Sequence, residues 1–231
     1  MNDALISLFT LTILEIVLGI DNIIFVTILA GKTEESKQGR ARTIGLLMGM
    51  VVRIVLLFGI NWIQRQDHTL FEFAGHEFSG MSLLLLAGGL FLLFQSVREI
   101  HLKMAGATPE VQEKGKAYSW SALMLQMLLI NVVFSLDSVI TAIGMADVLW
   151  VMIAAVIISM IVMLAASRPI ADFVNANPSI KILALSFLVL IGVSLLGEAF
   201  EQHINKGYIY FAMAFSFTLE LINLRIDRRS K

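Results

Sequence analysis

The chain has 231 residues, of which 58% are hydrophobic and 15% charged, and its mean hydropathy is +0.83. One soluble core of this size cannot bury so much apolar surface, which excludes an ordinary soluble domain and indicates a polytopic membrane protein. The net charge of -1 gives no reason to expect a nucleic acid partner, and the absence of cysteine excludes disulfides and thiol chemistry.

Seven apolar stretches are long enough to be transmembrane helices. They are Leu5–Ala30, Thr43–Ile63, Met81–Ile100, Trp120–Met145, Val148–Ser167, Ile180–Phe200 and Tyr208–Leu224. The loops between them are short, and none is long enough for a soluble domain. The sequence therefore predicts an all-α membrane protein that forms one transmembrane domain over residues 1–231.

The first stretch carries two acidic residues, Glu15 and Asp21, inside a hydrophobic run. An ionised carboxylate at the centre of a bilayer costs about 3 kcal/mol or more, so such residues usually have a function. In a regular helix the two side chains would lie about 120° apart. We therefore expect a break near Gly19 that lets them converge, with bare backbone lining a cavity as in many secondary transporters.

The chain also repeats itself. Ile16–Asn22 corresponds to Val132–Ser138, so that Asp21 matches Asp137 and the fourth span repeats the first. With three spans per repeat, the second repeat enters the membrane from the opposite side. We therefore predict two inverted three-helix repeats, at residues 5–100 and 120–200, and a seventh helix at 208–224. Such repeats place a site near the midplane of the membrane.

The polar groups around the two aspartates correspond as well. Six residues before the aspartate stands Glu15 in the first repeat and Asn131 in the second. Arg53 and Arg168 follow the aspartates of their repeats by 32 and 31 residues. The glycines in the spans, Gly45 and Gly49 among them, are expected to allow close helix approach.

Basic residues are unevenly distributed between alternate loops. One set of loops and span ends carries Lys32, Lys37, Arg40, Arg42, Arg98, Lys103, Lys114, Lys116, Arg168, Lys181, Arg225, Arg228, Arg229 and Lys231. The other set has Arg65 and Lys206. Because basic residues concentrate on the cytoplasmic side, the N-terminus is predicted to lie outside and the C-terminus in the cytoplasm.

This topology can be tested with reporter fusions. We expect a reporter fused after Lys231, or placed in the loop at Lys32–Arg42, to read cytoplasmic, because these segments carry the basic residues. A reporter near Asp67 or at the N-terminus should read external. A cytoplasmic reading near Asp67 would contradict both the orientation and the inverted repeat.

The polar side chains inside the predicted spans are oxygen donors, which suit Mg, Ca or Mn and disfavour zinc or copper. The candidate metal ligands are Asp21, Asp137, Glu15, Asn131, Glu220 and Asn223. The two aspartates are expected to be the central ligands, and the others to complete or tune the site. Arg53 is expected to be a counter-ion or helix-pairing residue.

Several of these residues could instead have a purely structural role or simply be solvated. Asp21 could form a structural ion pair with Arg53 or stay protonated, and Glu220 could pair with a neighbour or extend to the membrane surface. The remaining candidates, which could be vestibule or proton-relay groups or simply solvated polar residues, are Asn22, Ser138, Glu99 and Glu198. His101 and His203 lie near the last two.

Three stretches of the sequence resemble those of a known family. They are Leu14–Asn22, Phe134–Val139 and Tyr210–Ser216, and the last of them precedes Glu220 and Asn223. They resemble the TerC family of integral membrane proteins in its short form, without appended cytosolic domains, and the match runs over nearly the whole chain. The resemblance implies manganese efflux across the bacterial inner membrane. In that family the position of Asn131 is usually acidic, so this chain departs from the pattern there.

The residues alone indicate a divalent-cation transporter or a proton-coupled transporter. Together with the resemblance, they lead us to expect a secondary transporter that exports Mn(II) by alternating access, coupled to protons. It is expected not to be an enzyme and to need no cofactor, its partners being the metal ion and the lipid bilayer. The alternatives are transport of Ca(II) or protons alone, and a non-transporting accessory protein that helps other proteins to insert, fold or acquire metal. Further candidate partners are a second copy of the chain, in a homo-oligomer, and another membrane protein.

Overall fold

The computed structural model describes residues 2–59, 69–73, 76–105, 119–143, 148–202 and 205–229. Within these ranges it contains seven helices and a two-stranded antiparallel sheet. In chain order the elements are α1 (Asn2–Ala30), α2 (Glu35–Phe58), β1 (Thr69–Phe73), β2 (His76–Ser79), α3 (Gly80–Met104), α4 (Trp120–Ile143), α5 (Leu149–Ala176), α6 (Pro178–Ala199) and α7 (Lys206–Arg229).

The helices confirm the prediction of an all-α polytopic membrane protein. In the described residues, six helices are long and apolar enough to cross a membrane, and α4 contains a shorter apolar stretch, Trp120–Leu136. Each predicted span overlaps one helix. The largest difference is α5, which continues past the predicted end at Ser167 and through Pro169 to Ala176. A proline inside a transmembrane helix is tolerated when neighbouring groups satisfy the backbone that it frees.

The expected break near Gly19 is wrong, because α1 is a continuous helix from Asn2 to Ala30. A Cβ atom at Gly19 would collide with the Sδ atom of Met163 in α5. The glycine therefore makes room for a side chain from another helix. As a result Glu15 and Asp21 lie on different faces of α1, with Glu15 buried and Asp21 half-buried.

The chain forms two compact units. The first contains residues 1–67 and 109–173, and therefore α1, α2, α4 and most of α5. The second contains residues 68–108 and 174–231, and therefore the sheet, α3, α6 and α7. Each unit thus takes helices from both predicted repeats.

In the first unit, α2 presents a narrow face to its neighbours. Its buried residues at four-residue intervals are Ala41, Gly45, Gly49, Arg53 and Leu57. The two glycines let α4 approach closely, since a Cβ atom at Gly45 would lie 2.9 Å from the Sδ atom of Met127. The expectation that Gly45 and Gly49 allow close helix approach is confirmed.

The same unit buries the second half of α1 completely, from Asn22 to Ala30. Phe25 of this segment makes an edge-to-face contact with Phe134 of α4, with ring centroids 6.5 Å apart. An apolar cluster joins the first part of α1 to the other three helices through Leu11, Leu57, Val139, Ala142, Val151, Met152, Ala155 and Val156. These contacts pack α1 against the other three helices of the unit.

In the second unit, α3 and α6 pack antiparallel. Phe78 and Phe200 stack edge to face at 5.8 Å, and the backbones meet at Gly89 and Gly192. A Cβ atom on either glycine would lie within about 3 Å of the other's carbonyl oxygen, at 2.8 Å and 3.1 Å. The hairpin β1–β2, which the sequence analysis did not predict, precedes α3, and Ser79 caps that helix through reciprocal hydrogen bonds with Ser82.

Candidate ion site

A buried ion pair joins α1 to α2. Arg53 Nη1 donates to Glu15 Oε2 at 2.5 Å, and the two side chains are 2% and 3% exposed. Removing two charges from water is costly, so such a pair persists only with close geometry, and removing one partner leaves an uncompensated charge. The pairing of Arg53 that we considered for Asp21 is made by Glu15, because the face of α1 that carries Glu15 packs against α2.

Asp21 lies on a different face of α1 from this ion pair. With the residues that the structure describes, it forms no hydrogen bond or ion pair. Its neighbour Asn22 is buried, and the Oδ1 atom of Asn22 has no hydrogen-bond partner in that part of the chain. A buried polar atom without a partner is unusual and calls for a ligand, a water or a functional explanation.

The corresponding part of α4 is also polar. Asn131 is buried, and its Nδ2 atom donates to the carbonyl oxygen of Gly45 in α2 at 2.9 Å. The Ser138 hydroxyl donates to the carbonyl oxygen of Ser135 at 3.2 Å, whereas the Ser135 hydroxyl has no partner among the described residues. Asp137 belongs to this helix, and its side chain lies outside the described part of the structure.

The other candidates belong to the second compact unit. Glu220 is half-buried and Asn223 exposed on α7, while Glu99 is buried near the end of α3. Glu198 forms an ion pair with Lys206, with Nζ and Oε1 3.4 Å apart. His101 is exposed, and His203 lies outside the described residues.

The first unit therefore contains seven of the sequence candidates, namely Glu15, Asp21, Asn22, Arg53, Asn131, Asp137 and Ser138. The described side chains contain no group of three or more histidine, aspartate or glutamate residues close enough to hold a metal ion. Sequence reasoning missed Ser135 and Thr27, two buried hydroxyls without a described partner. A hydroxyl within an apolar span is a weak signal, but Ser135 does stand where Gly19 stands in the first repeat.

These features define the class, a multi-pass helical membrane protein with ionisable side chains buried within its spans. The sequence model of the integral membrane protein TerC family matches residues 1–231, and the chain belongs to this family.

Curated relatives support the assignment. The chain is 48% identical over 229 residues to a UPF0053 protein of Haemophilus influenzae, covering 99% of this chain and 97% of the relative. It is 47% identical over 228 residues to the UPF0053 inner membrane protein YgdQ of Escherichia coli K12, covering 99% and 95%. The UPF0053 inner membrane protein YoaE of the same strain is 45% identical over 225 residues, which cover 97% of this chain but 43% of YoaE. These names fit a multi-pass protein of the bacterial inner membrane. No solved structure matches the chain.

Proposed function

We propose that the protein is a secondary transporter that exports a divalent metal cation, Mn(II), from the cytoplasm in exchange for protons. The observation that carries the proposal is a pair of buried oxygen atoms on residues that stand within two positions of the two aspartates in the sequence. Asn22 Oδ1 follows Asp21, Ser135 Oγ precedes Asp137 by two residues, and neither atom has a hydrogen-bond partner in the described structure. A hard cation, or the water that it carries, would satisfy them.

The charged candidate residues of the first unit support a divalent cargo. Arg53 offsets the charge of Glu15, so the pair is neutral, and Asp21 and Asp137 together contribute -2. This sum matches one divalent cation. In the proposal the two aspartates are the charged ligands, whereas Glu15 holds Arg53 and tunes the site from α1.

The donor set suits manganese better than softer metals. Carboxylate, amide and hydroxyl oxygens select Mg, Ca and Mn, and the chain has no cysteine thiolate to favour zinc or copper. Within this group we propose manganese, because the resemblance to the TerC family implies manganese efflux. The proposed transporter is not an enzyme and holds no cofactor, since the metal is its cargo.

The experiment is metal flux into liposomes that contain only the purified protein. We expect Mn(II) entry, followed with a trapped metal-sensitive dye, to rise with protein content and to respond to an imposed pH gradient. Ca(II) and Mg(II) measured in parallel report selectivity, and protein-free liposomes give the leak. Flux equal to the leak, with or without the pH gradient, would overturn the proposal and favour an accessory role in the insertion, folding or metalation of other proteins.

A further inference from the structure

The helix α2 is held by two residues that occupy corresponding positions in the predicted repeats. Glu15 of α1 bonds to Arg53, and Asn131 of α4 bonds to the carbonyl oxygen of Gly45. Each stands six residues before the aspartate of its own helix. The repeat thus uses the same position twice, both times to attach the aspartate-bearing helix to α2.

The second attachment depends on the glycines of α2. Gly45 and Gly49 are one turn apart on its buried face, and the Asn131 amide lies against both. Its Nδ2 atom is bound at Gly45, and its Oδ1 atom lies 2.6 Å from the point where a Cβ atom of Gly49 would be. A side chain larger than hydrogen at position 49 would displace the amide.

The same geometry directs Asn131 away from the position of Asp137. In a continuous helix, residues six apart lie about 9 Å apart along the axis and about 120° apart around it. α4 is continuous through both positions. The face of α4 that carries Asn131 packs on α2, so the face that carries Asp137 is a different one.

We propose that Asn131 is a positioning residue and not a ligand of the transported ion. Its amide fixes the axial position and rotation of α4 against α2, and so sets the place of Asp137, as the pair Glu15–Arg53 does for Asp21. The role of Asp137 rests on the proposed function, whereas the α4–α2 contact does not. Groups that orient metal ligands typically change metal affinity by about 10- to 100-fold when removed.

The test compares two glycine variants of the same helix. Gly49→Ala pushes on the Asn131 amide without changing its chemistry, whereas Gly39→Ala adds a Cβ atom that meets nothing within 4 Å. We expect Gly49→Ala and Asn131→Ala each to weaken Mn(II) binding by about tenfold or more. The Mn(II) concentration that gives half-maximal flux should rise by a similar factor. Gly39→Ala should behave as wild type. Gly49→Ala that also behaves as wild type would overturn the proposal.

A second readout does not depend on transport. The chain has no cysteine, so the pair Gly45→Cys and Met127→Cys reports the α2–α4 register through disulfide formation. Introducing Asn131→Ala into this double-cysteine protein is expected to slow cross-linking several-fold. Introducing Gly39→Ala should leave the rate of cross-linking unchanged. Unchanged cross-linking in an active protein would overturn the positioning role. Asn131→Ala could slow cross-linking although the wild-type protein transports no Mn(II). That result would support the α4–α2 contact and contradict only the proposed function.

Asn131→Asp separates the two roles most directly. If position 131 faced the ion, the added carboxylate would tighten Mn(II) binding at high pH, where it is ionised. If it faces α2, an ionised carboxylate has no proton to donate to the Gly45 carbonyl. It then lies against the buried face of α2 that carries Arg53, which already pairs with Glu15 of α1. We therefore expect binding no tighter than wild type at any pH. Tighter binding at high pH would overturn the proposal.

Discussion

Alanine at Glu15 or at Arg53 is expected to lower the free energy of unfolding by about 3–5 kcal/mol, because each single change leaves one buried charge without its partner. The measurement is unfolding of the purified protein in detergent micelles. Replacing both residues together, with Glu15→Leu and Arg53→Met, should recover most of this loss, since apolar side chains of similar size need no counter-charge.

The chain offers a matched control for this experiment. Lys37 and Glu34 form an ion pair at 2.9 Å in which the side chains are 51% and 61% exposed. Breaking an exposed pair typically costs about 0–1 kcal/mol. Lys37→Ala should therefore change the unfolding free energy far less than Arg53→Ala. Equal effects at the two sites would show that the Glu15–Arg53 pair is not desolvated.

The second large effect concerns transport. Asp21→Asn and Asp137→Asn are each expected to reduce Mn(II) flux by about 100-fold or more, because a charged ligand in a desolvated site is replaced by a neutral amide of the same shape. Folding should survive, since an uncharged side chain relieves the cost of a carboxylate inside the membrane. Flux in liposomes and Mn(II) binding to the purified variants are the measurements.

Asp172, which is exposed on α5, provides the control aspartate. Asp172→Asn should transport as wild type does, and all three variants should unfold at similar temperatures. Wild-type flux in Asp21→Asn or Asp137→Asn would make that aspartate structural and remove the basis of the proposed function.

The sequence was sufficient for the helices because hydropathy is a local property. Each predicted span overlaps a helix, although α5 continues past the predicted end at Ser167 to Ala176. The sequence was not sufficient to predict the role of Gly19, because a glycine between two polar residues is compatible with a helix break and with close helix packing. The choice depends on Met163, which comes from a distant helix.

The candidate site, too, could be predicted from the sequence only in part. Sequence symmetry identified Glu15 and Asn131 as corresponding residues, but their partners depend on which faces of α1 and α4 contact α2. Arg53 binds Glu15 over a separation of 38 residues, and Asn131 binds Gly45 over a separation of 86. No local pattern encodes such contacts, and an acceptor on the backbone leaves no mark in the sequence at all.

The short separation between Glu15 and Arg53 matters for biosynthesis. The pair joins the first two helices, so it can form as soon as both have left the ribosome, before α4 is made. A helical hairpin in which Glu15 and Arg53 form a neutral pair is easier to transfer into lipid than one in which both residues are charged and unpaired. The Asn131 contact must wait for the second half of the chain. The Arg53–Glu15 pair can therefore be in place during membrane insertion, and it also holds α1 and α2 together in the folded protein.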